Sequence, residues 1–462
     1  MGKTAVLKLV IMLLALIALS TYFESHKPGV LVQAQLPSAL VCQDETCLSA
    51  SFNYLIVTRP LFIESLVPFA EWKAAAGYRV GLATVEWMDQ RFEGRHVAER
   101  MKTAMHALRR QAGVVYVLLV GDTLVEYFNF KVEAILDSYV LDEPWNVPTG
   151  YYRRIETDPP GEVLPSDVYF VEDRDWDAQG IGTSEIANPN GEGSFDATLF
   201  VGRWTVQTPE DIAPILSKTM RVSPADSVWF TVDATGLSTD EVCPTDWPPP
   251  SNPEARPPRF KEFFCYLDTM VKARSVFEAS PWLQTEYSAV DVHEPAQTTA
   301  LRERLLRNED PIVISYHGSH DCMLLGSQCV SAKDLRFESV FPLFEAESCL
   351  IATFYFSLDG SESFSETLLK AETGPALVTQ APNPYLFLIG LRKGQSVGEA
   401  LWRSGATYVY WPNPMLLLGD PSLQVFVLPP ERTGATDADG DGVSDAADYC
   451  PTYPGKPESN GC

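Results

Sequence analysis

The stretch VVYVLLVGD (residues 114–122) is a continuous apolar run of strand length that ends in glycine and aspartate. A strand that is apolar at every position, rather than at alternate positions, is typical of a parallel sheet covered on both faces. Upstream, two more strand-like runs alternate with two helix-like segments: SFNYLIVTRP (51–60), FIESLVPFAEWKAAAG (62–77), YRVGLATVEW (78–87) and HVAERMKTAMHALRRQAG (96–113). This alternation predicts an α/β fold with a doubly wound, mostly parallel sheet.

The same pattern continues downstream. ATLFVGRW (197–204) predicts a strand, and Thr208 is the predicted N-cap of a helix over 208–221. After a proline-rich stretch (243–265), further strand-like and helix-like runs follow: TTALRERLLRNED (298–310), PIVISYHG (311–318), VFPLFEAESC (340–349), SESFSETLLKAETG (361–374) and PALVTQ (375–380). We therefore expect two α/β subdomains, over 50–210 and 211–430, followed by a small tail at 436–462.

The net charge and the N-terminal segment limit which functions and locations the chain can have. The 462 residues carry a net charge of −26, which argues against nucleic-acid binding, since that needs a cationic surface. LVIMLLALIAL (9–19) is an eleven-residue apolar core after two lysines, as in a secretory signal peptide. We expect a signal peptide within 1–34 and an extracellular or cell-envelope location. An uncleaved membrane anchor is the alternative.

The nine cysteines suggest disulfides and one leftover thiol. Eight fall into neighbouring couples, 42 with 47, 243 with 265, 322 with 329, and 450 with 462. In an oxidising compartment such couples are expected to pair. Cys349 remains, as an intermolecular linker, a reactive thiol or a buried inert thiol.

The tail contains DADGDGVSDAAD (437–448), whose spacing fits a calcium loop. Gly442 permits the sharp turn, and the candidate oxygen ligands are Asp437, Asp439, Asp441, the Val443 carbonyl, Asp445 and Asp448. Residues 437–462 resemble a thrombospondin type 3 calcium repeat. The resemblance implies Ca2+ as the bound ion, a Cys450–Cys462 disulfide and an extracytoplasmic stalk.

A cysteine nucleophile needs an acid/base partner, and two of the six histidines are suitably placed. His317 and His320 follow an apolar strand, as Cys349 does, and reactive groups gather at the carboxyl ends of strands in open α/β sheets. If the two strands are adjacent, both groups point into one crevice. Gly318 would let a substrate carbonyl approach the backbone, and its N–H could donate to an oxyanion.

Strand–His–Gly followed about thirty residues later by strand–Ser–Cys resembles the gingipain-type, caspase-like cysteine peptidases. The likeness spans 51–430 and includes these segments: WKAAAGYRV (72–80), VYVLLVGD (115–122), PSDVYF (165–170), FVGRW (200–204), SCLIATF (348–354), SFSETLL (363–369) and LLGDPSL (417–423). It implies a caspase–haemoglobinase-like fold and endopeptidase activity on protein or peptide substrates. Cys349 would be the nucleophile, a histidine of YHGSH the general acid/base, and the Gly318 and Cys349 N–H groups the oxyanion hole.

Two departures from the family pattern leave alternatives open. Where the family reads Tyr-x-Gly-His-Gly-Ser, this chain has His317 followed by glycine and His320 nearer the family's offset from Tyr316; we favour His317, with His320 as the alternative. Ala352 stands where the family has glycine, so an inactive peptidase-like surface or binding protein is the alternative function. A metal site at His317, His320 and Asp321 is a further interpretation, although it lacks a well-placed third ligand.

The sequence thus predicts a secreted cysteine endopeptidase with a calcium-binding stalk. Attachment to a cell surface is compatible with this organisation. The side-chain preference at the cleavage site is not predicted.

Overall fold

The computed structural model describes residues 39–42, 44, 46–123, 141, 143–153, 163–173, 182–183, 197–233, 277, 280, 282–346, 362–381, 384–404 and 416–426. The predicted signal peptide, the calcium tail and Cys349 lie outside these residues. The described residues belong to one compact unit.

The strands are numbered in chain order. They are β1 (Ala39–Cys42), β2 (Tyr54–Thr58), β3 (Val80–Thr84), β4 (Tyr116–Val120), β5 (Gly150–Arg153), β6 (Val163–Ser166), β7 (Gly182–Thr183), β8 (Phe200–Trp204), β9 (Ser227–Asp233), β10 (Gln284–Val290), β11 (Ile312–Ser315), β12 (His317–Gly318), β13 (Cys322–Leu325), β14 (Gln328–Ser331), β15 (Val340–Ala346), β16 (Gly374–Gln380) and β17 (Leu416–Leu418).

The helices flank these strands. They are α1 (Thr46–Ser49), α2 (Ile63–Ala75), α3 (Val85–Arg91), α4 (Val97–Ala112), α5 (Val168–Val171), α6 (Ile212–Arg221), α7 (Pro295–Leu306), α8 (Phe364–Lys370), α9 (Pro384–Arg392) and α10 (Val397–Arg403). The predicted cap at Thr208 is confirmed: Thr208 and Asp211 form a capping box at the one-turn 3-10 helix that leads into α6. In the described part of the chain, no helix is both long and apolar enough to cross a membrane.

Eleven of the described strands join in one sheet, in the order β1-β3-β2-β4-β8-β17-β16-β15-β11-β9-β10. Neighbouring strands run parallel, except that β17 is antiparallel to β16. The predicted α/β class with a mostly parallel sheet is therefore confirmed. Strands from both predicted subdomains contribute to this sheet.

The apolar run VVYVLLVGD contains β4, and β4 is buried on both faces as predicted. Val117 and Leu119 belong to the apolar core on one side of the sheet, and Leu118 and Val120 to the core on the other. Burying each such side chain contributes about 1.5–3 kcal/mol. Helices cover both sides, which is why every position of the strand can be apolar.

Two of the four predicted disulfides lie within the described residues, and both are present. Cys42 is bonded to Cys47, and Cys322 to Cys329. The couples 243 with 265 and 450 with 462 lie outside.

A buried cation links two segments far apart in sequence. The Lys73 Nζ of α2 forms an ion pair with Asp420 and donates to the Ser422 Oγ at 2.6 Å. It also lies 4.7 Å from the Trp72 ring centroid and 5.1 Å from that of Tyr54, whose hydroxyl donates to Asp420 at 2.8 Å. The segment after β17 is thereby attached to α2.

We expect Lys73→Met to lower the free energy of unfolding by about 3–5 kcal/mol, because the Asp420 carboxylate would stay buried without its cation. Urea unfolding followed by tryptophan fluorescence measures this loss. The double variant Lys73→Met/Asp420→Asn should regain part of it. A double variant no more stable than the single one would show that the unpaired carboxylate is not the cause.

Candidate active site

Strands β11 and β15 are adjacent and parallel, as the predicted crevice requires. Ile312 pairs with Phe344, and Ile314 with Ala346. His317 comes three residues after Ile314 in the sequence, and Cys349 comes three residues after Ala346. Ile314 and Ala346 face each other on the two strands. His317 and Cys349 thus come the same number of residues after this pair. Cys349 itself lies outside the described residues.

The segment after β11 forms a small antiparallel ribbon, which the sequence did not predict. Residues 316–321, here called the histidine segment, enter a small antiparallel ribbon in which His317 pairs with Leu324 and Gly318 with Met323. The ribbon continues from β13 into β14 and is closed by the Cys322–Cys329 disulfide. Its turn has the Ser319 N–H donating to the Cys322 carbonyl at 2.9 Å.

The two candidate histidines differ in exposure. His317 is exposed on β12, whereas His320 lies in the turn with only 8% of its surface exposed. The carbonyl of His320 accepts a 2.7 Å hydrogen bond from the Phe364 N–H at the start of α8. Tyr316 precedes both and is buried, and its hydroxyl shares a 2.6 Å hydrogen bond with the Thr231 Oγ1. The histidine segment is therefore anchored at both ends.

The alternative metal site at His317, His320 and Asp321 gains no support. Among the described residues, the three donors that lie within 4.8 Å of one another are Asp321, Cys322 and Cys329. Two of these are joined in a disulfide and cannot ligate a metal as thiolates.

A cluster of ionisable groups that the sequence analysis did not identify lies beside α8. The Asp122 carboxylate follows β4 and accepts from the Gln207 side chain and the Thr123 N–H, both at 2.8 Å. Burial raises its pKa. Burial and the nearby Asp122 charge raise the pKa of Glu366 to about 8.

Lys370 supplies the positive charge in this cluster. Its Nζ lies 2.9 Å from the Glu362 carboxylate. Burial on its own would lower the pKa of Lys370. The negative charges of Glu362, Asp122 and Glu366 together have the larger effect, so the pKa of Lys370 is raised. The one available signal in the sequence was the aspartate that ends VVYVLLVGD, directly after a buried strand.

A family model, described as peptidase family C25, matches residues 48–426. The chain belongs to peptidase family C25. One solved structure, described as "Structure of Protease", is similar with a TM-score of 0.51 at 15% sequence identity, and the match covers 84% of this chain and 83% of that one. At that identity the likeness shows the fold alone. A search of curated proteins finds no match.

Two of the segments that carried the gingipain-type resemblance meet in a buried ion pair of this C25 chain. Arg203 of FVGRW is fully buried and donates to both carboxylate oxygens of Asp167 of PSDVYF, at 2.8 and 2.7 Å. Its remaining nitrogen donates to the Gly121 and Val147 carbonyls at 3.1 and 2.8 Å. These residues build the scaffold of the C25 fold next to Asp122.

A fully buried carboxyl, Glu345, lies one residue before the end of β15 and four before Cys349. One of its oxygens accepts from the Ala381 N–H at 2.9 Å, and the other has no hydrogen-bond partner among the described residues. Burial raises its pKa from 4.5 to about 8. Glu345 is therefore a neutral acid at neutral pH, which lowers the cost of burying it.

This protonation predicts a pH-dependent stability. Because the folded state holds the Glu345 proton up to about pH 8 and the unfolded state releases it near its ordinary pKa, stability falls as the pH rises between the two values. We expect Glu345→Gln to reduce that fall, measured as the melting temperature from about pH 5 to 9. The exposed Glu338→Gln is the matched control and should leave the dependence unchanged. Equal pH dependence in the wild type and Glu345→Gln would contradict the prediction.

Proposed function

We propose that this C25 chain is a secreted cysteine endopeptidase in which Cys349 is the nucleophile and a histidine of the histidine segment is the general acid/base. The observation that supports it is the pairing of β11 with β15, which brings the strand leading to the histidines next to the strand leading to Cys349. Family membership supports a cysteine peptidase acting on protein or peptide.

The proposed reaction uses these groups in sequence. The Cys349 thiolate attacks the carbonyl carbon of the scissile bond, and the oxygen takes the negative charge. The Gly318 and Cys349 N–H groups would donate to that oxygen. The imidazolium gives its proton to the leaving amine, and a thioester remains. Water, deprotonated by the imidazole, then attacks the thioester carbonyl carbon and the C–S bond breaks, which releases the acid product and restores the Cys349 thiolate beside the imidazolium.

We favour His317 over His320 as the acid/base. His317 is exposed, and Gly318 comes directly after it. His317 comes three residues after Ile314, as Cys349 comes three residues after the paired Ala346. His320 is buried, and its backbone carbonyl is held by α8. This favours a structural role for His320.

The catalytic assignment predicts distinct outcomes for three variants. Cys349→Ala should abolish peptide cleavage and also labelling by a thiol-reactive probe. His317→Ala should lower kcat by about 100-fold or more, whereas His320→Ala should mainly lower the melting temperature. Cleavage of a fluorogenic peptide library measures the loss of activity in Cys349→Ala and His317→Ala. Thermal unfolding measures the change in melting temperature of His320→Ala.

Other outcomes would select an alternative. A kcat loss confined to His320→Ala would make that residue the acid/base. Labelling of Cys349 without cleavage of any peptide would favour the inactive peptidase-like binding protein, an alternative that rests on Ala352 in place of the family's glycine.

Export and calcium binding complete the proposal. The N-terminal apolar core supports a signal peptide within 1–34, and the spacing of the aspartates in 437–448 supports a Ca2+ site in a stalk. The two short-range disulfides agree with an oxidising compartment.

We expect the double variant Asp437→Asn/Asp441→Asn to weaken calcium binding by at least about tenfold, because each carboxylate supplies charge and a ligand oxygen. Calorimetric titration of the full chain measures it. The kcat for peptide cleavage should stay unchanged, because the loop lies beyond the 48–426 match. Unaltered calcium affinity would show that the ion binds elsewhere or not at all.

A further inference from the structure

One residue at the start of α8 contacts both the histidine segment and β15, the strand that leads to Cys349. The Phe364 N–H donates to the His320 carbonyl at 2.7 Å, within the histidine segment. The Phe364 ring lies 6.2 Å, centroid to centroid, from the ring of Phe344 on β15, five residues before Cys349. Phe364 is buried. Its position therefore couples the location of the histidine segment to that of the strand leading to the nucleophile.

The orientation of Phe364 is set by a buried capping box. Ser363 is the N-cap of α8: its Oγ accepts from the Glu366 N–H at 3.1 Å, and the Glu366 carboxyl accepts from the Ser363 N–H at 2.8 Å. Both residues are buried, Ser363 completely. Reciprocal bonds of this kind fix the backbone at the first turn of a helix, and the first residue of that turn here is Phe364.

We propose that Ser363 is a positioning residue of the peptidase: through the capping box it directs the Phe364 N–H at the His320 carbonyl and so sets the position of the histidine segment relative to β15, the strand that leads to Cys349. The proposal rests on the proposed function. A displacement of about 1 Å in a catalytic group can cost two orders of magnitude in rate. A loosened α8 therefore reduces catalysis more than it reduces substrate binding.

The chain offers a matched control in the N-cap of α10. The Ser396 Oγ accepts from the Glu399 N–H at 3.2 Å, and Ser396 is also buried. It therefore has the same residue type, the same bond and an acidic residue three positions later. Helix α10 packs instead against α9 and β8; the Trp402 indole N–H, for example, donates to the Val201 carbonyl at 2.8 Å. Ser396 also shares a hydrogen bond with the Tyr116 side chain. Ser396→Ala thus reports the stability cost of losing a buried serine cap, together with that bond, at a helix that packs against α9 and β8.

The experiment compares Ser363→Ala, Ser363→Thr and Ser396→Ala with the wild-type protein, using peptide cleavage and thermal unfolding. We expect both alanine variants to lower the melting temperature by similar amounts. Only Ser363→Ala should lower kcat, by about ten- to a hundredfold, with KM changed less than about twofold. Ser363→Thr keeps the hydroxyl acceptor and should restore most of kcat.

A second measurement follows the thiol itself. The rate of Cys349 alkylation by iodoacetamide against pH reports how well the imidazole stabilises the thiolate. Ser363→Ala should move this profile to higher pH, and Ser396→Ala should not. If the wild type cleaves peptides while Ser363→Ala keeps its kcat and its profile, the positioning role is overturned and the peptidase assignment stands. If the wild type neither cleaves peptides nor alkylates below the usual thiol range, the peptidase assignment fails and the positioning role fails with it.

Discussion

The ion pair between Arg203 and Asp167 is the constraint on which the rest of the described site depends. Both groups are buried, and the guanidinium meets the carboxylate with two nitrogens while a third binds two backbone carbonyls. The Thr149 hydroxyl adds a 2.7 Å hydrogen bond to the same carboxylate. Burying charges is favourable only when such donors and acceptors are satisfied together. Gly121 supplies one of those carbonyls. The ion pair therefore fixes the backbone between the end of β4 and Asp122.

A series of interacting charged groups connects this end of β4 to the histidine segment. Asp122 interacts electrostatically with Lys370 and Glu366, and the capping box of Glu366 holds the residue that binds the His320 carbonyl. One lysine faces three carboxyl groups here, and the raised pKa of Glu366 limits their mutual repulsion through proton uptake. The cluster thus joins β4 to the strands that lead to the proposed nucleophile and acid/base. An arrangement of this kind gives rigidity to a site whose histidines lie on a short ribbon.

The sequence predicted the features that depend on local pattern. The two-sided burial of β4, the N-cap at Thr208 and the two short-range disulfides all arise from residues within a few positions of one another. It also placed His317 and Cys349 directly after the carboxyl ends of two strands, where reactive groups collect in such sheets. That these two strands are neighbours is a finding of the structure. The ribbon after β11 was missed, although the cysteine couple around Gly326, whose φ is 63°, is typical of a hairpin turn.

The buried charges could not have been predicted in the same way. Lys73 and Arg203 are hydrophilic by type, so hydropathy places them at the surface, and their partners are distant in sequence: the Ser422 bonded to Lys73 is 349 positions away. Such pairs become visible only when the strand order is known, since that order follows from long-range packing rather than local propensity. The same argument applies to Ser363. Its capping role follows from SESFSE in the sequence, but its bearing on catalysis depends on Phe364 meeting both His320 and Phe344, which only the tertiary structure reveals.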